Sequence, residues 1–255
     1  MDKRPVAHSP ADSAPIQKPQ DSFQSLPHSR SVAVFDVDGT IFRSSLFIEL
    51  VERLIQEGHV PGSMRERYGD KKEQWVNREG TYDAYVRAMV EASYEYFRGI
   101  QGEAFTKAAE TVVATQSKHV YRYTRDLVKE LKGKGYFLLA VSHSPKAILD
   151  YFCPNLGFDK WYGLIYETDD QGKLTAKVMD EHVILNKAAV LKRAVENQEL
   201  TYEGSIGVGD SESDVPFLSL VETPICFNPS SGLYAHAKQN GWKVVVERKD
   251  VIYEI

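Results

Sequence analysis

Cysteine is scarce in this chain: two of 255 residues, Cys153 and Cys226, far apart, with no CxxC pair and no histidine at ligand spacing. That excludes a disulfide framework and a thiolate zinc site, and it points to a reducing, cytoplasmic setting. Long apolar runs are missing as well. "FLLAV" is the longest core-like stretch, whereas a membrane-spanning helix needs about twenty apolar residues and a secretory signal roughly seven. A soluble protein without a membrane partner is expected. Nor is there a basic excess: 31 Lys and Arg against 36 Asp and Glu give a formal charge of −5. That is the wrong sign for a chain whose main task is gripping nucleic acid.

Residues 1–30, "MDKRPVAHSPADSAPIQKPQDSFQSLPHSR", hold five of the eleven prolines and five serines without a sustained apolar run. This composition predicts a disordered tail, with the early "KR" solvating it. From Ser31 onward short β-like runs alternate with helical periodicity, the pattern of a parallel α/β sheet. The predicted strands are "SVAVF" (31–35), "YFLLAVS" (136–142), "GSIGVG" (204–209), "TPICF" (223–227) and "WKVVV" (242–246). Helices are predicted over 121–135 and 188–198, and a hairpin over "WYGLIYETDDQGKLTAKV" (161–178) with its turn near Gln171 and Gly172.

One interval breaks the rhythm. From Arg43 to Gly135 the chain reads almost wholly as helix, far too long for a single crossover. A helical insertion forming a second, smaller domain is expected. In its third helix Tyr82, Val86, Val90, Tyr94 and Phe97 fall on one stripe, which reads as core packing.

The chemistry starts at "FDVDGT", where two aspartates separated by one valine close a buried strand. Like charges that near repel, so the pair needs a cation, a shared proton or a solvated turn. A calcium loop counted from Asp36 would need glycine at its sixth position and glutamate at its twelfth. Those positions hold Ile41 and Phe47, which removes that option; a capped turn stays open. Asp38 sits one pleat from Asp36, and in open parallel sheets ligands gather at the carboxyl ends of strands. "SIGVGD" ends another strand in Asp210, and "GDSESD" adds Glu212 and Asp214. Two acidic clusters at strand ends suit a shared hard cation such as Mg²⁺. "VSHSP" offers the Ser142 hydroxyl and the amides of His143 and Ser144 before a helix, an anion seat. Lys187 opens the helix leading to the Asp210 strand; an exposed lysine is the plainer alternative.

In order, "FDVDGT", Ser142 in "VS", Lys187 and "GVGDSESD" resemble the four motifs of the haloacid dehalogenase superfamily, across nearly all of residues 31–246. The helical insertion after the first motif resembles the type-one cap of the phosphoserine-phosphatase-like branch, and the hairpin is similar to that branch too. The resemblance implies an α/β fold: a Rossmann-like parallel sheet core with helices on both faces (31–43 and 121–255) and an inserted all-α cap (44–120). It implies a phosphatase acting on a small phosphorylated metabolite through an aspartyl-phosphate. Asp36 would be the nucleophile and Asp38 the proton donor and acceptor. Mg²⁺ would be held by Asp36, the Asp38 carbonyl and Asp210. Thr40, Ser142, His143 and Lys187 would bind phosphate, with Asp214 orienting Lys187 or a metal-bound water. A phosphotransferase or mutase using the same intermediate, and a non-catalytic phosphate-ligand module, are the alternatives. Phosphoserine phosphatases carry a glutamate nine residues after the nucleophile; here that position is Ser45, which argues against phosphoserine. Arg43, Ser44 and Ser45 stand near that mouth, and Arg65, Arg67, Arg78 and Arg87 are candidates for a second anionic group or a solvated helix face.

Overall fold

The computed structural model describes residues 29–255, so the expected tail lies outside the described residues except for its last two positions. Of those, Arg30 donates to the carbonyls of Gly135 and Tyr136 at 3.0 and 2.6 Å. The chain then runs β1 (Ser31–Phe35), α1 (Leu46–Gln56), α2 (Met64–Val76), α3 (Tyr82–Tyr96), α4 (Gly102–Gln116), α5 (Arg122–Gly133), β2 (Phe137–Pro145) and α6 (Lys146–Leu156). It continues through β3 (Lys160–Thr168), β4 (Leu174–Met179), α7 (Glu181–Ile184), α8 (Lys187–Asn197), β5 (Thr201–Gly209), α9 (Val215–Leu218), β6 (Thr223–Phe227), α10 (Ser231–Asn240), β7 (Lys243–Arg248) and β8 (Val251–Glu254).

The strands form one eight-stranded sheet in the order β4-β3-β2-β1-β5-β6-β7-β8. β3 through β7 are parallel, and β4 and β8 add antiparallel edges. Every predicted strand is present; β8 escaped the sequence because "VIYE" is only four residues long, too short to show a period. β1 is buried on both faces, which is why it reads as an unbroken apolar run rather than an alternation. Its period of two divides the core: Ala33 and Phe35 join the cluster under α5 and α6, while Val32 and Val34 join the one under α8, α9 and α10. The strand order reverses direction at β1, and that is the topological switch point where open α/β sheets form their ligand crevice.

Helices α1–α4 share the cluster of α5 and α6 rather than forming a separate core. α1 starts cleanly because Ser45 caps it, its Oγ accepting from the Ile48 amide, and it buries Leu46, Phe47, Leu50, Val51 and Leu54 at helical spacing. The β3–β4 hairpin, with its turn at Gly172 (φ 73°), braces the α3–α4 junction. Gly102 donates to the Gly172 carbonyl at 2.8 Å, Gly99 to Leu174 at 2.9 Å and Leu174 back to Ile100 at 2.8 Å. Tyr166 of the hairpin packs on Phe97 and Phe105 at 5.6 and 5.7 Å between ring centroids, and Phe97 also meets Phe47 of α1.

Phe97 therefore pins α1, α4 and the hairpin together, fully buried. Phe97→Ala is expected to cost about 3–5 kcal/mol, read in urea as a lowered midpoint at unchanged slope. Val76→Ala, on an exposed side chain, should stay within about 0.5 kcal/mol of the parent.

Candidate active site

β1 stops at Phe35, and Asp36 follows with its amide on the Val208 carbonyl of β5 at 2.9 Å. The chain then folds back on itself. Ile41 and Phe42 donate to the Val37 carbonyl at 2.8 and 2.9 Å, and Gly39 donates to the carbonyls of Phe42 and Ser44 at 3.0 and 2.9 Å. Gly39 has φ 80°, and a Cβ there would lie 2.2 Å from Asp210 Oδ2. Only glycine permits both the left-handed turn and the approach of the second acidic strand end.

Phe35 pairs with Val208, so Asp36 and Asp210 arrive side by side from neighbouring strands. Lys187, the first residue of α8, is aimed at the same point because Asn186 caps that helix through the Ala189 amide. Its ammonium donates to Asp36 Oδ1 and Asp214 Oδ1, both at 2.6 Å, with all three side chains almost wholly buried. Asp214's other oxygen accepts from the amides of Asp210 and Ser211 at 3.0 Å each and from the Ser211 hydroxyl. A Cβ on Gly209 would sit 2.6 Å from Asp214, so that glycine makes room for the carboxylate beneath the strand end.

Asp38 faces the other way. Its Oδ1 accepts from the Leu46 amide at the start of α1 at 2.6 Å, and its Oδ2 accepts from the hydroxyls of Ser142 and Ser144 at 2.7 and 2.8 Å. Ser142 is fully buried and also accepts from the Ser144 amide. Of the anion seat expected from the Ser142 hydroxyl and the amides of His143 and Ser144, the Ser144 amide is taken up by Ser142, both serine hydroxyls bind Asp38, and Ser144 is the serine that lines the cavity. His143 lines it too; burial and then the Lys187 charge push its imidazole down to about 4, so it is neutral at pH 7. Thr40 is placed elsewhere: fully buried behind the turn, its carbonyl accepts from Thr124 at 2.9 Å, and its Oγ1 has no partner and does not line the cavity.

Burial pushes Asp36 up to about 7 against the pull of Lys187, with Asp214 and Asp38 adding to the rise. Asp210 is raised as well, by burial and then by Asp36 and Asp214. Burial opposes the charge on Lys187, but Asp214 and Asp36 hold it above the usual lysine range. Carboxylate oxygens of Asp36, Asp210 and Asp214 lie within 4.8 Å of one another, a group that could hold a metal ion. Asp214 is already saturated by Lys187 and backbone donors, whereas no protein donor among the described residues reaches the Asp210 carboxylate. Two crowded, desolvated oxygen donors with raised proton affinity fit a hard divalent cation.

The cavity above these groups is about 140 Å³. Its far wall corrects one expectation from the sequence. Tyr82, Val86 and Val90, read as core, are half-buried and line the cavity, with Tyr82 and Val90 also packed against the main cluster, while α3 fully buries Tyr85, Met89, Ala92 and Ser93, and Tyr94 is exposed. Only Phe97 of the expected stripe is fully core. Asp83, Phe47 and Ser213 also line the cavity and were not singled out by the sequence. The available signal was the offset of two apolar stripes on α3, one of them flanked by an acid. Arg43 lies over the Tyr121 ring, and Ser45 serves as the α1 cap while lining the cavity.

Residues 33–219 match the model of the haloacid dehalogenase-like hydrolases. A histidinol-phosphatase of Neisseria meningitidis serogroup C (strain 8013) is 25% identical over 226 residues, 85% of this chain and 98% of its own. A phosphoserine phosphatase of Mycobacterium tuberculosis (strain H37Rv) is 24% identical over 248 residues, 94% of this chain and 78% of its own. Among solved structures, a protein of unknown function from Bordetella pertussis Tohama I superposes with a TM-score of 0.65 at 20% identity, covering 85% of this chain and 98% of that one. A substrate-bound phosphoserine phosphatase gives 0.57 at 19% identity, covering 81% and 90%. These structures share the fold, and the matched range contains Asp36, Ser142, Lys187 and Asp210. The chain belongs to the haloacid dehalogenase-like hydrolase family.

Proposed function

We propose that the protein is a Mg²⁺-dependent phosphatase that hydrolyses a small phosphomonoester through an aspartyl-phosphate on Asp36. The observation that carries this is the Lys187 ammonium shared between Asp36 and Asp214 beneath a small cavity, with Asp38 held apart by two serines and a helix amide. That separation supports attack by Asp36 and proton transfer by Asp38. The relatives named for histidinol-phosphate and phosphoserine chemistry support phosphomonoester hydrolysis as the reaction class. The two buried, free cysteines accord with a cytoplasmic setting.

In this reading an Asp36 oxygen attacks phosphorus, the ester P–O bond breaks, and Asp38 gives its proton to the leaving alkoxide. Asp38 then takes a proton from water, whose oxygen attacks the aspartyl-phosphate, releasing phosphate and restoring Asp36. Lys187 would bind an equatorial phosphoryl oxygen through its remaining N–H, and Ser144, which lines the cavity, by turning its hydroxyl from Asp38, while the buried Ser142 keeps its bond to Asp38, leaving the in-line path open. Asp36, Asp210 and the Asp38 carbonyl would hold Mg²⁺, which when bound offsets the repulsion between the carboxylate and the phosphate dianion. Asp214 orients Lys187 and takes no direct part. Thr40 supports the turn through its backbone. Residues 31–43 and 121–255 form the catalytic core, and 44–120 act as a cap that closes the cavity from above.

Asp36→Asn should abolish turnover of p-nitrophenyl phosphate while leaving the circular dichroism spectrum unchanged; retained activity would sink the assignment. Asp214→Asn leaves Lys187 less well held and should lower kcat roughly 100-fold, with a smaller effect on KM, measured by steady-state kinetics. Chelation with EDTA should remove activity and added Mg²⁺ should restore it, while activity that survives exhaustive chelation would exclude a metal role.

A further inference from the structure

The cavity has two unlike halves. One holds the strand-end carboxylates and Lys187. The other is walled by Phe47, Tyr82, Val86 and Val90, with the exposed Asp83 on its lining. Lys187 is the one Lys or Arg among the described residues that lines the cavity, and it is already paired with two carboxylates. The arginines that could have greeted a second anion lie elsewhere. Arg65 pairs with Glu52 and Arg67 with Glu95, while Arg78 and Arg87 are exposed and outside the cavity lining.

A carboxylate on the leaving group would therefore meet Asp83 with no counter-charge, in a cavity whose lining is already rich in acids. An ammonium would meet a carboxylate that no donor among the described residues engages, beside two aromatic rings of the kind that attract cations. Tyr82 adds a hydroxyl that is buried without a partner, and burial together with the charges of Asp38 and Asp210 keeps it a neutral phenol whose oxygen can accept from an ammonium. Asp83 also sits in the first turn of α3, where the helix dipole favours an acid. That purely structural role predicts no effect on substrate choice.

We propose that this half of the cavity selects phosphomonoesters whose leaving group carries an amine and no carboxylate, small aminoalkyl phosphates. The proposal rests on the phosphatase reading above. Asp83 takes the ammonium, while Phe47, Val86 and Val90 pack against the carbon chain.

The test is phosphate release, with Mg²⁺ at pH 7, from O-phosphoethanolamine, ethyl phosphate and O-phosphoserine, with p-nitrophenyl phosphate as a generic control. In the parent chain kcat/KM should be at least about tenfold higher for phosphoethanolamine than for either of the other two alkyl esters. Asp83→Asn should bring the ratio of phosphoethanolamine to ethyl phosphate close to one. Because the ratio is taken within one variant, partial loss of folded protein cancels. Calorimetric titration of the Asp36→Asn chain gives an independent readout, with phosphoethanolamine binding more tightly than phosphoserine. Equal or better use of phosphoserine, a ratio that Asp83→Asn does not move, or turnover of the control ester alone overturns the selectivity and leaves the phosphatase assignment standing. Failure to hydrolyse any of the four esters overturns the assignment and the selectivity with it.

Discussion

Everything in this molecule is arranged around burying several carboxylates at the carboxyl ends of the two central strands of the sheet. Asp36, Asp210 and Asp214 meet where β1 and β5 end, and the repulsion among them is opposed within the protein by Lys187 alone among the cavity-lining cations. Removing one partner from such a buried pair leaves an uncompensated charge, commonly costing about 3–5 kcal/mol. The local backbone is built to make this tolerable. Gly39 and Gly209 clear space for Asp210 and Asp214, and strand-end amides complete the hydrogen bonding of Asp214.

That constraint propagates outward through the sheet. The parallel register of β1 with β5 sets the separation of Asp36 from Asp210, and β2 on the other side delivers Ser142 and Ser144 to Asp38. Helix α1 is tied in as well, since its first amide binds Asp38 while its apolar face joins the main cluster. The helices above the site therefore share both a hydrogen bond and a hydrophobic core with the groups below. The β3–β4 hairpin completes the assembly by bonding along the α3–α4 junction, which gives the antiparallel edge strand β4 a partner beyond the sheet.

The two halves of the cavity carry different kinds of information. The strand-end half is built from acids and Lys187, and the helical half from aromatic, aliphatic and acidic side chains of α1 and α3. The two halves come from separate segments of sequence, and only the fold brings them within one cavity.

The strand ends were legible because chemistry imposes residue types there: "FDVDGT" and "GVGDSESD" follow apolar runs, and their aspartates, with Lys187, converge as expected. The helix stripe was not. Tyr82, Val86 and Val90 obey the same 3.6-residue period as Tyr85, Met89 and Ala92, and periodicity records that a face is apolar without recording what it faces. Thr40, expected at the phosphate, is buried away from the cavity, and Ser144 brings its hydroxyl as well as its amide to the site, since which hydroxyl points into a cavity depends on backbone direction at a strand end and a turn. The sequence by itself determined the alternation of strands and helices, the family and the acids and lysine of the strand-end cluster, because burial and charge restrict those residues locally. The tertiary structure alone decided which side of α3 lines the cavity and that Ser142 and Ser144 both reach Asp38, because each depends on groups distant in the chain meeting across packed layers.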